Sequence, residues 1–315
     1  MKKLSDVRVS VLVITYNSSR YIVETLESIR RQTYKNIDLI ISDDCSRDDT
    51  VEICRQWLLE NEDEFVETAV ITSLKNTGVS ANCNRGVRRA KGEWIKLVAG
   101  DDILLESCIR DYVGFIDSNR DACFVSAGIV PFDESGDGDP IFASYKIRKK
   151  TASLQLDAML RDNALLPAPG IFLKKHMLDD IGGFDERYVM YEDVPLYVMA
   201  SSRGYKFYFL DKPVVRYRNH QASIVNSSDL RHSDEVLLHG RDVVLPLLKR
   251  SRKYFLYWHI KVMNYSIEKT KDNFVLIDNI ILRNIFWLMV DPLYWIVFFV
   301  KVRGVLLGKN KKISG

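Results

Sequence analysis

Residues 9–17 read VSVLVITYN, an apolar run of aliphatic residues that ends in polar side chains. A short apolar run rich in β-branched residues is typical of a strand buried on both faces of a parallel sheet. Helical and strand-like patterns then alternate up to residue 102. The helical patterns cover 21–31 and the segments after Asp49 and Ser80, and the strand patterns cover 37–42, 69–72 and 94–98. This alternation predicts repeated β-α-β units, and therefore an α/β fold with a mostly parallel sheet flanked by helices.

Two serines mark predicted helix starts. Ser46 lies three residues before Asp49, which is the spacing of a capping box, and Ser80 is placed to cap the third helix. We expect both hydroxyl groups to bond to backbone N–H groups in the first turns of these helices.

The second half of the chain is less regular. Its strand patterns cover 124–130, 170–173, 206–210 and 214–217, and its helical patterns cover 154–160 and 192–202. Strand patterns stop at about residue 227. We therefore predict an α/β domain over 1–225, made of the halves 1–102 and 103–225. Residues 226–315 are predicted to form a separate helical region that is basic and aromatic.

Composition narrows the class of protein. The chain has 315 residues, 47% of them apolar, so it can bury a sizeable core. A formal net charge of +3 is small for this length, and we expect no nucleic-acid partner. The five cysteines are odd in number and form no CxxC pair, which favours reduced thiols in the cytoplasm. The apolar run near the N-terminus is too short for the core of a signal peptide.

The C-terminal region combines basic and aromatic residues. Residues 249–253 read KRSRK, and five basic residues and no acidic one follow from Lys301 to the end. The apolar stretch 284–300 is interrupted by Asp291 and Pro292. A central Asp costs roughly 2.5 to 3.5 kcal/mol on insertion scales, and a span needs about 20 residues. We expect this region to lie on an anionic membrane surface rather than to cross the membrane; a helical core or a dimer interface is the alternative.

Polar residues cluster where the predicted strands end. The first strand ends in Thr15, Tyr16 and Asn17, the second in Asp43 and Asp44, and the fourth in Asp101 and Asp102. In an open α/β sheet, ligands bind at the carboxyl ends of the strands. Tyr16 has a ring that can pack against a nucleobase, and Asp44 has a carboxylate that can accept a pyrimidine N–H. The alternative is that these residues form caps and turns.

The adjacent pair Asp101 and Asp102 suggests a cation. Two neighbouring carboxylates at a buried strand end repel each other unless a cation or a hydroxyl network is present. Mg²⁺ or Mn²⁺ typically takes one or two protein carboxylates and completes its shell with water and phosphate oxygens. A helix cap or a surface loop is the alternative interpretation of the pair.

Four ordered motifs resemble those of a known family. Residues 9–17 (VSVLVITYN), 41–50 (ISDDCSRDDT), 76–86 (NTGVSANCNRG) and 92–105 (GEWIKLVAGDDILL) resemble the family 2 glycosyltransferases of the GT-A fold. The similarity continues through the Glu192-Asp193 pair and covers about residues 7–225. It implies an inverting, metal-dependent glycosyltransferase that uses a nucleotide sugar.

The resemblance also implies roles for individual residues. Nucleotide-sugar contacts fall on Thr15, Tyr16, Asn17, Asp44, Asn84, Arg85, Asp101 and Arg218. Metal contacts fall on Asp101, Asp102 and His220, with Mg²⁺ or Mn²⁺ as cofactor. The catalytic residues are Asp193, as the base, and Glu192. Ala99 stands where many members carry a further Asp, so which carboxylate binds the metal stays open.

The expected reaction moves a sugar from a UDP-hexose or UDP-aminohexose to a hydroxyl group of a glycan acceptor. That acceptor is expected on a lipid diphosphate, in the synthesis of a cell-surface polysaccharide such as O-antigen or capsule, with the enzyme peripheral on the inner face of the membrane. A nucleotidyltransferase is a less favoured alternative, because such enzymes carry a Gly-rich basic loop where this chain reads NSSR at 17–20. A non-catalytic scaffold protein of the same fold is the other alternative. The presence of Asp101, Asp102 and Asp193 together argues against it, because a scaffold would not need them.

Overall fold

The structure is a computed structural model that describes residues 6–148, 151–162, 166–219 and 230–250, together with residues 257, 260, 261 and 264. It divides into two compact units, residues 1–235 and 236–315. The domain boundary predicted at residue 225 stays a prediction, since residues 220–229 around it lie outside the described ranges.

The first part of unit one alternates strands and helices as predicted. The elements are β1 Val9–Thr15, α1 Ile22–Arg30, β2 Ile37–Asp43, α2 Thr50–Asn61, β3 Glu67–Thr72, α3 Val79–Arg89 and β4 Trp94–Ala99. Strands β3, β2, β1 and β4 are neighbours in this order, and all are parallel. The predicted α/β fold is confirmed.

The second part adds antiparallel pairing. Its elements are β5 Ile103–Leu104, α4 Cys108–Ser118, β6 Phe124–Asp133, β7 Gly136–Asp137, α5 Ala152–Asp162, β8 Ile171–Lys174, α6 Lys175–Ile181, α7 Asp193–Ser202 and β9 Phe207–Arg218. They are followed by the helices α8 Leu230–His239 and α9 Leu245–Arg250, which are separated by a π-helical segment at Gly240–Val244. The full strand order is β3-β2-β1-β4-β8-β6-β9-β5, and β7 pairs with β6.

The direction of β8 determines where the strand ends meet. It runs antiparallel to both β4 and β6, so β4 and β6 point the same way. β9 is parallel to β6. The carboxyl ends of β1, β2, β4, β6 and β9 therefore lie along one edge of the sheet, which places the end of β9 on the same edge as Asp101 and Asp102.

Alternation along the strands builds a core on each face of the sheet. Val9, Val11 and Val13 of β1 pack with α1 and α2, whereas Leu12 of the same strand packs with residues of α3 on the other face. Because successive side chains of a strand point to opposite faces, one apolar run can serve both cores. Among the described residues, no helix has the length and apolar character that a membrane span requires.

Three local predictions were wrong. The side chain of Ser46 bonds to Asp43 instead of capping α2, and Ser80 lies inside α3, which begins after Gly78. The segments 206–210 and 214–217 form one strand, β9, because Asp211 and Lys212 are accommodated by register shifts around Gly128 of β6.

Candidate active site

The end of β1 is bound to the end of β2. The Thr15 hydroxyl donates to Asp43 Oδ1 at 2.9 Å, and the Asp44 N–H donates to the Thr15 carbonyl at 3.0 Å. Asn17 has a positive φ of 52°, and its side-chain oxygen accepts the Arg47 N–H at 2.8 Å. Between them the Tyr16 side chain is 44% exposed, so its ring is available to a ligand.

Asp44 is the centre of a buried hydrogen-bond network. Its carboxylate accepts bonds from the Thr77 N–H at 2.8 Å, the Thr77 hydroxyl at 2.7 Å and the Gly78 N–H at 2.6 Å. Arg85 adds a fourth bond at 2.8 Å. Hydrogen bonds to a charged group are stronger than neutral ones, and Asp44 therefore joins the end of β2 to the start of α3.

Arg85 completes this network from the middle of α3. It also bonds to the Thr77 hydroxyl at 2.8 Å and to Asn82 Oδ1 at 3.0 Å. Its Nε is buried and has no hydrogen-bond partner among the described residues. Arg85 and Asp44 form a direct ion pair, and their nucleotide-binding roles stay predictions.

Asn84 points to a different part of the molecule. Its amide nitrogen donates to the Phe184 carbonyl and to Glu186, both at 2.8 Å, and its oxygen accepts the Phe184 N–H at 2.9 Å. These bonds hold α3 against the loop after α6. The nucleotide-binding role of Asn84 stays a prediction, and we leave it out of the proposed site.

The end of β4 lies beside the end of β1. A Cβ atom at Gly100 would lie 2.9 Å from Thr15 Cγ2 and 2.8 Å from Ser18 Oγ. A larger residue at position 100 would require the Thr15 or Ser18 side chain to shift. The residues that follow it, Asp101 and Asp102, are therefore held next to the proposed nucleotide-binding residues of β1.

Asp102 is buried and only partly satisfied. Its Oδ1 accepts the Arg218 N–H at 2.9 Å, whereas its Oδ2 is buried with no partner among the described residues. Burial raises the pKa of Asp102 to about 7, and the neighbouring Asp101 carboxylate contributes. A buried carboxylate oxygen without a donor is costly, and a bound cation would compensate for it. No cluster of three or more His, Cys, Asp or Glu side chains suited to a metal occurs among the described residues. His220 lies outside them.

Arg218 connects the end of β9 to Asp101 and Asp102 through hydrogen bonds. Its Nε donates to the Asp101 carbonyl at 2.8 Å, and a terminal nitrogen donates to Glu24 at 2.6 Å. The guanidinium lies 4.4 Å from the ring centroid of Tyr21 and 4.5 Å from that of Phe132. Such cation–π contacts are worth roughly 0.5 to 2 kcal/mol each. Sequence reasoning missed Tyr21, Glu24 and Phe132, since nothing in the spacing links them to Arg218.

The predicted catalytic pair begins a helix. Asp193 is the first residue of α7, and its Oδ1 accepts the Val194 N–H at 2.7 Å. Glu192 precedes it and is half-buried. Burial raises the pKa of Glu192, and the adjacent Asp193 carboxylate raises it further.

The loop before this pair, residues 188–191, is held by the start of α3. Val79 donates its N–H to the Val189 carbonyl at 2.8 Å, and the Ser80 hydroxyl donates to the Tyr188 carbonyl at 2.5 Å. Gly78 has a φ of +89°, and a Cβ there would lie 2.4 Å from Val189 Cγ1. A continuous set of contacts therefore runs from Asp44 through Gly78 to the 188–191 loop.

Asp44→Asn tests the energetic weight of the Asp44 network. Losing the charge leaves the largely buried Arg85 without its ion-pair partner, and breaking such a pair costs about 3 kcal/mol. We expect a fall of that size in the free energy of unfolding, measured by urea denaturation. The control is Glu64→Gln, which removes an exposed ion pair with Lys35 and should cost less than about 1 kcal/mol. Equal, small losses for both variants would contradict this assignment.

Comparison with known proteins finds similar sequences. The family model described as "Glycosyl transferase family 2" matches residues 10–179. Glycosyltransferase GlyG of Streptococcus pneumoniae is 28% identical over 236 residues, which are 70% of this chain and 73% of that protein. The amylovoran biosynthesis glycosyltransferase AmsB of Erwinia amylovora is 25% identical over 254 residues, covering 80% of this chain and 82% of AmsB.

A solved structure shares the fold. The crystal structure of S. aureus TarS 1-349 in complex with UDP-GlcNAc has a TM-score of 0.62 at 21% identity, covering 82% of this chain and 73% of that one. The predicted GT-A architecture is confirmed by this likeness. Since the family model spans over half of the chain, this protein belongs to glycosyl transferase family 2.

Proposed function

We propose that this glycosyltransferase moves a hexose or aminohexose from a UDP-sugar to a glycan hydroxyl, with inversion at the anomeric carbon. The observation that carries the proposal is the meeting of the Asp44–Arg85 network and the Asp101–Asp102 pair at one edge of the sheet. Two similarities support it: AmsB is named for the biosynthesis of a polysaccharide, and TarS has been crystallised with UDP-GlcNAc.

The nucleotide would lie across the ends of β1 and β2. The exposed ring of Tyr16 suits stacking on a nucleobase, and Thr15 and Asn17 shape the turn beside it. The Nε–H of Arg85 is buried and has no acceptor among the described residues; for a carbonyl oxygen of a uracil ring to accept it, the side chains that cover it would have to move. Asp44 already accepts four bonds within the protein, so its role is chiefly to orient Arg85.

The acidic pair fits a hard divalent cation such as Mg²⁺ or Mn²⁺. Asp102 Oδ2, buried and unpartnered among the described residues, is the ligand that the geometry favours; Asp101, which is half-buried, would bind the ribose or the same cation. When bound, the cation would offset the negative charge of the diphosphate leaving group. Arg218 and His220 remain the predicted basic partners of that group.

Asp193 would act as the base. Its carboxylate takes the proton of the acceptor hydroxyl while the hydroxyl oxygen bonds to the anomeric carbon. The bond from that carbon to the diphosphate oxygen breaks, and its electron pair leaves with UDP. Burial and the adjacent Asp193 carboxylate raise the pKa of Glu192, which favours its protonated form, and Glu192 would donate a hydrogen bond.

The composition of the C-terminal region supports a proposal for the acceptor and the location. We propose that residues 226–315 bind an anionic membrane surface on its cytoplasmic side, where a glycan on a lipid diphosphate would be presented. The basic segment 249–253 and the basic residues after Lys301 support this. The apolar stretch 284–300 lies outside the described residues.

Asp193→Asn tests the assignment of the base. Transfer from UDP-sugars, followed as UDP release across a donor panel, should fall about 10²- to 10⁴-fold, while UDP affinity measured by calorimetry stays unchanged. The matched control is Glu192→Gln, which replaces the neighbouring acid by a neutral amide of the same shape and should keep the rate within about tenfold. A fully active Asp193→Asn enzyme, or one that no longer binds UDP, would contradict the assignment. A wild-type protein that binds UDP but transfers nothing to any acceptor would favour the scaffold alternative.

Asp102→Asn tests the cation site. The variant keeps the acceptor for the Arg218 N–H but loses the charge at Oδ2, so the enhancement of UDP affinity by Mn²⁺ should disappear. Calorimetric titration with and without Mn²⁺ measures this. The control Asp111→Asn alters a carboxylate on α4 that bonds to Lys212, and it should keep the Mn²⁺ effect. An undiminished Mn²⁺ effect in Asp102→Asn would refute the site.

A further inference from the structure

Glu235 is a buried carboxylate with an unusual set of partners. It is the last residue of the first unit, and only 8% of it is exposed. Its Oε1 accepts the Val189 N–H at 2.8 Å, and its Oε2 accepts the Met190 N–H at 2.9 Å. Within the described part of the chain, these two backbone groups meet the carboxylate and no cation pairs with it.

Burying a charge without a cationic partner is a poor route to stability. Desolvation of a carboxylate costs several kcal/mol, which the charge-assisted hydrogen bonds from the two backbone N–H groups must offset. A neutral residue at this position would avoid the cost. The arrangement is therefore better explained by the fixed position that the carboxylate gives to the Val189 and Met190 N–H groups than by a net gain in the free energy of folding.

The two N–H groups that bond to Glu235 belong to the loop that precedes the proposed base. Val189 and Met190 lie in the 188–191 loop, immediately before Glu192 and Asp193. On the opposite side of the peptide chain, Val79 bonds to the Val189 carbonyl. The Val189 peptide is thus fixed through both its N–H and its carbonyl, which sets the direction in which α7 begins.

Glu235 also acts through its charge. It contributes to the raised pKa of Glu192, after burial and Asp193. The other ionisable groups facing this pair are Cys83 of α3, Tyr197 of α7 and Tyr191 of the preceding loop; burial raises the pKa of all three, so they are neutral at working pH. Among the described groups, only the carboxylates of Asp193 and Glu235 therefore place a negative charge near Glu192.

We propose that Glu235 is a positioning residue for sugar transfer. By accepting hydrogen bonds from the N–H groups of Val189 and Met190, it orients Asp193 toward the acceptor hydroxyl. This inference rests on the proposed function of Asp193. Glu235 itself contacts no reacting atom. Its effect falls on the rate of the chemical step rather than on the binding of the donor.

The variant Glu235→Gln separates these effects. A glutamine offers one acceptor oxygen in place of two, and its amide N–H₂ faces a backbone donor. We expect kcat to fall about 10- to 100-fold, as small misplacements of catalytic groups do, with the donor KM and the UDP Kd unchanged. Hydrogen exchange at the Val189 and Met190 amides should become faster. Glu235→Asp, which keeps both oxygens and the charge, should recover part of the loss in kcat.

The matched control is Asp234→Asn, which changes the exposed neighbouring carboxylate and should leave kcat and the exchange rates as in the wild type. Rates are compared per folded molecule at a temperature below the melting transition of every variant. A wild-type kcat in Glu235→Gln, or a loss confined to melting temperature, would overturn the inference, as would unaltered exchange at both amides. Failure of the proposed function would look different, because the wild-type enzyme itself would then transfer no sugar.

Discussion

The hydrogen bonds accepted by the Asp44 carboxylate are the interaction on which the rest of the site depends. Its four bonds join three separate pieces of chain: the end of β2, the turn at Thr77 and Gly78, and the middle of α3. Because Gly78 packs on Val189, the same network reaches the loop before α7. A single buried charge thus links the residues proposed to bind the nucleotide to those proposed to remove the proton.

The direction of the strands explains why this arrangement is possible. In the parallel half, the ends of β1, β2 and β4 meet by the ordinary geometry of β-α-β units. The reversal at β8 then returns β6 and β9 in the same direction as β4. Arg218 can therefore bond to the main chain of Asp101 although 117 positions separate them in sequence.

Much of this could be predicted from the sequence, and the failures have physical causes. Apolar runs and helical periodicity located the strands and helices of the first hundred residues, because burial dominates there. The capping prediction for Ser46 failed because its hydroxyl found a stronger partner in the Asp43 carboxylate. β9 was divided into two strands because Asp211, Lys212 and Pro213 resemble a turn when the partner strand is unknown.

Long-range partners were beyond sequence reasoning. The motifs indicated Asp44, Arg85, Asp101 and Asp102, but no local pattern connects Arg218 to Glu24, 194 positions away. Glu235 was missed for the same reason, since a single acidic residue in a polar helix resembles any solvated one. The proposed roles of Asn84 and His220 stay predictions, the first because its amide is engaged elsewhere and the second because it lies outside the described residues.

The central claim is that Asp193 and the proposed cation site at Asp101 and Asp102 act on opposite faces of one sugar carbon. The sugar is then transferred in a single displacement. The most direct test is the proton NMR spectrum of the glycoside formed from an α-linked UDP-sugar, in which the coupling constant of the new anomeric proton reports its configuration. The account predicts a β-configured glycosidic bond. An α-configured product would require a double displacement or attack from the same face, and would contradict the role given to Asp193.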